Sequence, residues 1–330
     1  MFATQFALPS DHAAPTPIHT VRSYVFGTLA EITICSASGP QARHLGATVL
    51  ADFDRLHRML HAWEGGELVA LNTAIASGLR DIPIKPELAW LIRDATDLSE
   101  RSLRLFNPAI GKLVGLWNFH ASEFLPANPD PAEIERLLDA APKMTDVVVE
   151  DNLVNCADRD VRIDFGGHAK GYALDRAVAY LRRREVPGAL VNIGGNLMAL
   201  GTKWGLPWRV GIQHPREPRP MALLSLLDGE AISTSGDYER YFIRDGKRYC
   251  HLIDPRTGQP ACAAQSASVL VARCANAGAR SDASSGALFI GGSDGWRELA
   301  SRLDVKHSLL IDERGGVHCS EPMRGRLEFV

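Results

Sequence analysis

The sequence predicts an α+β fold with a largely antiparallel sheet, and three observations support this. Segments typical of strands and segments typical of helices occur in blocks and do not alternate one by one, which disfavours a parallel α/β sheet. Asp245-Gly246 lies between two strand-like segments and is a strong signal for a β-hairpin, which joins antiparallel strands. No repeat with a period of 20–50 residues is visible, so nothing indicates a solenoid or a propeller.

The composition is that of a folded globular protein. The 330 residues are 45% hydrophobic, and the net charge of -3 offers no basic footprint for nucleic acid. The six cysteines form no C-x-x-C pair, which fits a reducing compartment or buried apolar positions. Because no signal peptide and no membrane-spanning apolar run is visible, the sequence predicts a cytoplasmic protein. We interpret residues 1–20 as a loose lead-in and residues 21–330 as one domain.

The first half of the chain is predicted to be mainly helical. Residues 25–34 are strand-like, and a helix follows with apolar residues at i, i+4, i+7 and i+11 from Val49. A second helix opens at Pro86 and ends before Pro108, because proline disfavours a helical residue ahead of it. Residues 112–119 are apolar and end in an aromatic pair. A Pro/Asn/Asp-rich loop at 126–131 leads into a short helix that carries Ile134.

The second half is predicted to be rich in strands. Two helices are expected near residues 282–290 and 295–303. The strand predictions rest on β-branched and aromatic content between turn residues. They cover residues 147–149, 153–155, 161–163, 189–193, 208–213, 222–227, 231–234, 240–244, 248–253, 267–272, 308–312 and 317–319.

The stretch 161–176 reads as a short strand, a glycine turn and a helix entry. Asp164 ends the predicted strand, and Gly166 and Gly167 allow a tight turn or a close approach of a ligand. Backbone N–H groups in this layout can cradle a phosphate, with Lys170 near enough to add positive charge. An ordinary strand-to-helix connection with a solvated lysine explains the same residues equally well.

Four further polar or glycine-rich segments interrupt the apolar pattern. Each one alone can be a bulge, a turn or a helix N-cap, the last being an ordinary role for Asp282. Together they supply glycines, a lysine, a histidine and acids, the groups that a nucleotide diphosphate and a hard cation require. Neither G-x-G-x-x-G nor G-x-x-x-x-G-K-[ST] is present. The four segments are 192–196 (N-I-G-G-N), 233–237 (S-T-S-G-D), 251–258 (H-L-I-D-P-R-T-G) and 281–286 (S-D-A-S-S-G).

Over residues 26–292 the sequence resembles the ApbE family of FAD:protein FMN transferases. The most specific similarities are I-D-F-G-G-H-A-K-G-Y-A-L-D, V-N-I-G-G-N, S-T-S-G-D-Y-E-R-Y, C-H-L-I-D-P-R-T-G-Q-P and D-A-S-S-G-A-L-F-I-G-G, in the order that the family has. The resemblance implies an ApbE-like (T-fold-like) α+β domain. It also implies a Mg²⁺-dependent enzyme, with Mn²⁺ as a second option, that cleaves FAD, attaches FMN to a threonine or serine of an acceptor protein and releases AMP.

The resemblance also implies roles for particular residues. His251 matches a histidine that acts as base on the acceptor hydroxyl. The metal would be bound by the Gly167 carbonyl and the Asp282 carboxylate, with Ser285 as a further hydroxyl, and Asp282 therefore counts as catalytic. The remaining matches are positions that contact FAD, namely Phe26, Trp63, Leu105, Phe106, Asn107, Asp164, Lys170 and Ile253.

Two positions depart from the family pattern. The family usually has threonine four residues after the metal-binding aspartate, where this chain has Gly286, and usually has aspartate where this chain has Asn107. These changes motivate two alternatives, a flavin-binding protein without transferase activity and an FAD diphosphatase that produces FMN and AMP. The expected partner is the acceptor flavoprotein subunit of a redox system, with no nucleic acid and no membrane span involved. A homodimer is compatible with this interpretation.

Overall fold

The computed structural model of the chain describes residues 16–36, 38–119 and 125–330. The strands of this part are β1 (Ile18–Val25), β2 (Thr28–Cys35), β3 (Ile82–Pro83), β4 (Val147–Glu150), β5 (Leu153–Cys156), β6 (Gly188–Ile193), β7 (Asn196–Gly201), β8 (Trp208–Gln213), β9 (Pro220–Leu226), β10 (Ala231–Gly236), β11 (Tyr241–Arg244), β12 (Lys247–Cys250), β13 (Ile253–Asp254), β14 (Gln259–Pro260), β15 (Ala264–Val271), β16 (His307–Asp312), β17 (Val317–Cys319) and β18 (Leu327–Phe329). The helices are α1 (Gly39–Leu60), α2 (Glu67–Ser77), α3 (Pro86–Arg101), α4 (Gly111–Leu116), α5 (Pro131–Ala140), α6 (Ala169–Arg183), α7 (Ala277–Arg302) and α8 (Glu321–Arg324).

An eight-stranded sheet organises the fold, in the order β1-β2-β6-β7-β10-β15-β16-β17. All of its strand pairs are antiparallel, which confirms the predicted fold class. The predicted hairpin at Asp245-Gly246 is confirmed as β11–β12, which pairs Arg244 with Lys247. Most predicted strands of the second half are present with ends shifted by a few residues.

Helices α1, α6 and α7 pack on the sheet and on each other. The predicted apolar face of α6, formed by Leu174, Ala177, Val178 and Leu181, is buried in the main core. A second cluster of buried apolar residues packs the three-stranded sheet β18-β9-β8 against strands of the large sheet. Among the helices of the described ranges, none is both long enough and apolar enough to cross a lipid bilayer.

The strand predicted at residues 25–34 is present as β2, but it begins only at Thr28, because Phe26 and Gly27 form the turn of a hairpin. Strand β1 begins at Ile18, within the predicted lead-in, whose residues 1–15 lie outside the described residues. Phe26 and Gly27 form the two-residue turn with φ of 56° and 68°. Two positive φ angles suit the twist of a tight hairpin, and a non-glycine residue such as Phe26 rarely adopts one.

The predicted strand at residues 161–163 is reduced to a single bridge between Arg162 and Ile110, with backbone hydrogen bonds to residues 108–111 along one edge. On the other edge, the side chain of Asn72 takes the place of a neighbouring strand. Its Nδ2 donates to the Ile163 carbonyl at 2.9 Å, and its Oδ1 accepts from the Ile163 N–H at 2.8 Å. The buried backbone is therefore satisfied without a ladder, and the segment remains free to turn at Gly166.

Asp282 is not a helix N-cap, because α7 begins five residues earlier, at Ala277. The first N–H groups of α7 are satisfied from another helix, since Asp175 of α6 accepts from Gly278 at 2.7 Å and from Ala279 at 2.9 Å. The two predicted helices are continuous across a kink at Gly292, where φ is 62°. Asp282 is thus left in the second turn of α7, where its side chain faces α6.

Candidate functional site

Asp282 lies where α6, α7 and the start of β7 meet, and only 5% of it is exposed. Its Oδ2 accepts from the Gly171 N–H at 3.0 Å, and its Oδ1 accepts from Asn196 Nδ2 at 2.8 Å. The Lys170 ammonium is 3.6 Å from Oδ1. Since three donors from two other motifs converge on one carboxylate, the structure brings segments 161–176, 192–196 and 281–286 together.

The glycine turn before α6 is shaped by its own neighbours. Asp164 accepts the Gly166 N–H at 2.8 Å, and Lys170 Nζ donates to the Gly166 carbonyl at 3.0 Å. Neither Gly166 nor Gly167 has a positive φ, so neither is needed for a left-handed turn. A Cβ at Gly166 would lie 3.2 Å from Asp164 Oδ1. Both glycines are exposed, which leaves the Gly167 backbone accessible to a ligand.

His251 belongs to the same neighbourhood and is held by β-hairpin backbone. Its N–H and its ring Nδ1 both lie near the Arg240 carbonyl, at 3.0 and 3.3 Å. Burial, with the positive charges of Arg240 and Lys170, lowers the pKa of His251 to about 3. The imidazole is therefore neutral at physiological pH, and the same low pKa makes it a weaker proton acceptor than an exposed histidine.

Arg240 links this histidine to the predicted flavin contact at the first hairpin. Its guanidinium donates to the carbonyls of Phe26 and Gly27, each at 3.2 Å. The Phe26 ring packs in turn on Phe53 and edge-on to His57. The unusual backbone of Phe26 is thus held on both sides, by a cation and by aromatic packing.

Leu105 and Phe106 lie beneath the glycine turn and are almost fully buried. The Phe106 ring stacks on His168 with centroids 6.1 Å apart, and it is the nearest group, at 3.7 Å, to a Cβ placed on Gly167. His168 is fully buried, and its Nε2 bonds Asp94 Oδ2 at 2.7 Å. These contacts support the turn from below.

Asn107 and Ile253 are turned toward the protein. Asn107 Nδ2 donates to the Pro142 carbonyl at 2.9 Å, and its Oδ1 accepts from the Ala109 N–H at 3.1 Å. Ile253 is 4% exposed and packs in a small apolar cluster beside β11 and β12. Trp63 is partly buried, with the Arg162 guanidinium 4.2 Å from its ring centroid.

Two hydroxyl pairs join β10 to α7. Ser233 Oγ and Ser281 Oγ are 2.8 Å apart, and so are Ser235 Oγ and Ser285 Oγ. Residues two apart on a strand and four apart on a helix each share a face, so the pairs form successive rungs. This places the segment 233–237 against the segment that carries Asp282.

A metal at this site would depend on mixed oxygen donors. Within residues 16–36, 38–119 and 125–330, no group of three or more His, Cys, Asp or Glu side chains converges to bind one. The donors present are the Asp282 carboxylate, the exposed Gly167 backbone and serine hydroxyls. Carboxylate, carbonyl and hydroxyl oxygens suit a hard cation such as Mg²⁺, which also retains waters and substrate phosphate oxygens. The residues therefore fit the ion.

Sequence reasoning missed several residues that shape the site. Asn196 binds Asp282, Arg240 holds the first hairpin, and Asp175 starts α7. Asn196 lies in the motif N-I-G-G-N, and Arg240 lies in Y-E-R-Y. The motifs therefore included both residues but did not indicate what each side chain binds. His168 lies in I-D-F-G-G-H-A-K, but the motif did not indicate its partner Asp94, which is 74 residues away.

Fold and site together define an α+β protein that combines a buried carboxylate, a lysine and an exposed glycine turn, the groups that a diphosphate with a hard cation needs. Comparison with known proteins agrees. The model of the ApbE family matches residues 26–310. The chain belongs to the ApbE family.

Individual relatives are similar over most of this chain. The FAD:protein FMN transferase of Rhodobacter capsulatus is 41% identical over 317 residues, which cover 96% of this chain and 60% of that protein, so the chain spans little more than half of that relative's length. The crystal structure of the ApbE protein from Thermotoga maritima has a TM-score of 0.84 at 30% identity and covers 94% of this chain and 99% of that one. The apo flavinyl transferase ApbE of Pseudomonas stutzeri has a TM-score of 0.80 at 25% identity, covering 95% and 98%.

Proposed function

We propose that this chain is a metal-dependent FAD:protein FMN transferase. In the proposed reaction, the hydroxyl oxygen of an acceptor threonine or serine attacks the FMN phosphorus of FAD. The bond from that phosphorus to the bridging oxygen breaks, AMP leaves, and a phosphoester joins FMN to the acceptor. The observation that carries the proposal is the convergence of Lys170, Asn196 and Asp282, from three distant motifs, at one oxygen-lined site.

The metal in this proposal is Mg²⁺, with Mn²⁺ as the alternative. When bound, it neutralises charge on the diphosphate, which is the main requirement of phosphoryl transfer. Asp282 and the Gly167 carbonyl would bind it, with a hydroxyl contributed from the pair of Ser235 and Ser285. Asn196 and the Gly171 N–H orient the Asp282 carboxylate, since each donates to a different oxygen of it.

Lys170 is the proposed contact to the FAD phosphates. Its ammonium already lies among acceptors, 3.0 Å from the Gly166 carbonyl and 3.6 Å from Asp282. Phe26 and Trp63 offer partly buried aromatic rings for the flavin. Asp164 is proposed to act on FAD through the turn that it shapes.

Four further predicted FAD positions contribute from beneath the site. Leu105, Phe106, Asn107 and Ile253 are mostly buried, and we propose that they form its floor. His251 is the proposed base, because its neutral ring can take the acceptor proton as the new phosphoester forms. The proposed partner is a flavoprotein subunit of a redox system that carries the acceptor hydroxyl.

The test incubates the purified chain with FAD, Mg²⁺ and a threonine-containing acceptor, and follows AMP release and the mass of the acceptor. A flavinylated acceptor with equimolar AMP supports the transferase. FMN and AMP without an adduct would identify an FAD diphosphatase instead. Bound flavin with no turnover in Mg²⁺ or Mn²⁺ would refute both enzymatic functions. Asp282→Ala is the control, and FAD cleavage that survives it would refute the metal assignment.

A further inference from the structure

We infer that Ser235 supplies the hydroxyl ligand of the metal, in place of the side chain that Gly286 lacks. This inference rests on the proposed function, since it concerns the metal that the proposed reaction uses. It assigns a ligand to the S-T-S-G-D segment, whose residues have so far only a packing role. Three observations carry it: the direction of a hydrogen-bond chain, the difference between two serine pairs, and the space beside Gly286.

The hydrogen-bond chain leaves Ser235 with lone pairs free. Ser285 Oγ donates to the Asp282 carbonyl at 2.9 Å, which uses its one proton. In the 2.8 Å contact between the two serines, Ser235 is therefore the donor and Ser285 the acceptor. A hydroxyl that donates into the protein presents its oxygen lone pairs in other directions, as a cation ligand must.

Ser235 is more exposed to solvent than the other three serines of the two pairs. Ser233, Ser281 and Ser285 are all 0% exposed, so none of them reaches the surface. Ser235 is partly exposed. Ser285 therefore acts through Ser235, since it fixes the direction of the Ser235 O–H without facing the ligand itself.

Gly286 leaves open the position next to Asp282 on the helix surface. Residues 282 and 286 are four apart and lie on the same face of α7. A Cβ built on Gly286 would have one neighbour within 4 Å, the Ser235 Oγ at 3.8 Å. A side-chain hydroxyl from position 286 would thus occupy the same space that Ser235 borders, so one hydroxyl can replace the other.

The experiment measures binding of Mn²⁺ alone to the full chain, from the electron paramagnetic resonance signal of free Mn²⁺. Ser235→Ala should weaken Mn²⁺ binding by about tenfold, because one of few protein ligands is lost. Adding Gly286→Thr to Ser235→Ala should restore the affinity, since the new hydroxyl enters the same space. Thr234→Val is the matched control, because Thr234 pairs with Ser268 outside the two serine rungs and should leave Mn²⁺ binding unchanged.

The outcomes distinguish this inference from the proposed function. Unchanged Mn²⁺ affinity in Ser235→Ala, with strongly reduced affinity in Asp282→Ala, would overturn the Ser235 assignment alone. Unchanged affinity in Asp282→Ala would overturn the metal site of the proposed function. If Ser235→Ala does not fold, Ser235→Cys provides the test, because a thiolate ligand should raise the affinity for Zn²⁺ relative to Mg²⁺. An unchanged Zn²⁺/Mg²⁺ ratio in the folded Ser235→Cys variant would also refute the inference.

Discussion

Replacing Asn72 with leucine tests whether one buried side chain holds the segment that leads into the site. Asn72 is 5% exposed and makes both hydrogen bonds of the Ile163 backbone. Asn72→Leu would leave one N–H and one C=O buried without partners, at about 1–3 kcal/mol each. Apolar burial of the leucine returns about 1 kcal/mol of this, so we expect a net loss of about 1–5 kcal/mol in the free energy of unfolding.

The measurement is urea unfolding, with Asn155→Leu as the matched control. Asn155 also makes two hydrogen bonds, to the Asp81 N–H and carboxylate, but both are exposed, so water replaces them. We expect this control to lose less than about 1 kcal/mol. A loss for Asn72→Leu no larger than that of the control would refute the reasoning.

Three further predictions concern the site and its support. Asp282→Asn should lower the rate of AMP release by at least about 100-fold, because the neutral amide binds Mg²⁺ weakly; a near-normal rate would contradict the assignment. Because burial lowers the pKa of His251 to about 3, kcat/KM for FAD should stay flat from pH 8 to pH 5, and an acid limb near pH 6.5 would show that the pKa of the base is not lowered. Asp94→Ala should cost about 2–4 kcal/mol in urea unfolding, since it strands the fully buried His168, whereas a loss below about 1 kcal/mol would show that the pair is dispensable.

Elements with a regular apolar period could be predicted from the sequence. The face of α6, the start of α3 at Pro86 and the β11–β12 hairpin were all confirmed, because each depends on residues close in the chain. The strand prediction at residues 161–163 failed because a side chain 91 residues away makes the backbone hydrogen bonds of Ile163. Strand propensity depends on local residue types and cannot indicate such a distant partner. The start of the strand predicted at residues 25–34 was misplaced because the turn at Phe26 lacks the usual pair of turn residues.

The sequence by itself determined the fold class, the family resemblance and the identity of the polar segments, since these follow from local pattern and from residue types in order. The tertiary structure decided which groups meet. It brought Asn196 and Gly171 within hydrogen-bond distance of the Asp282 carboxylate. It also directed the Asn107 side chain to a backbone carbonyl. It also left Ser235 as the partly exposed member of two serine pairs. The physical reason is that hydrogen-bond direction and burial depend on partners far apart in the chain, which only the packing of α6, α7 and β10 brings together.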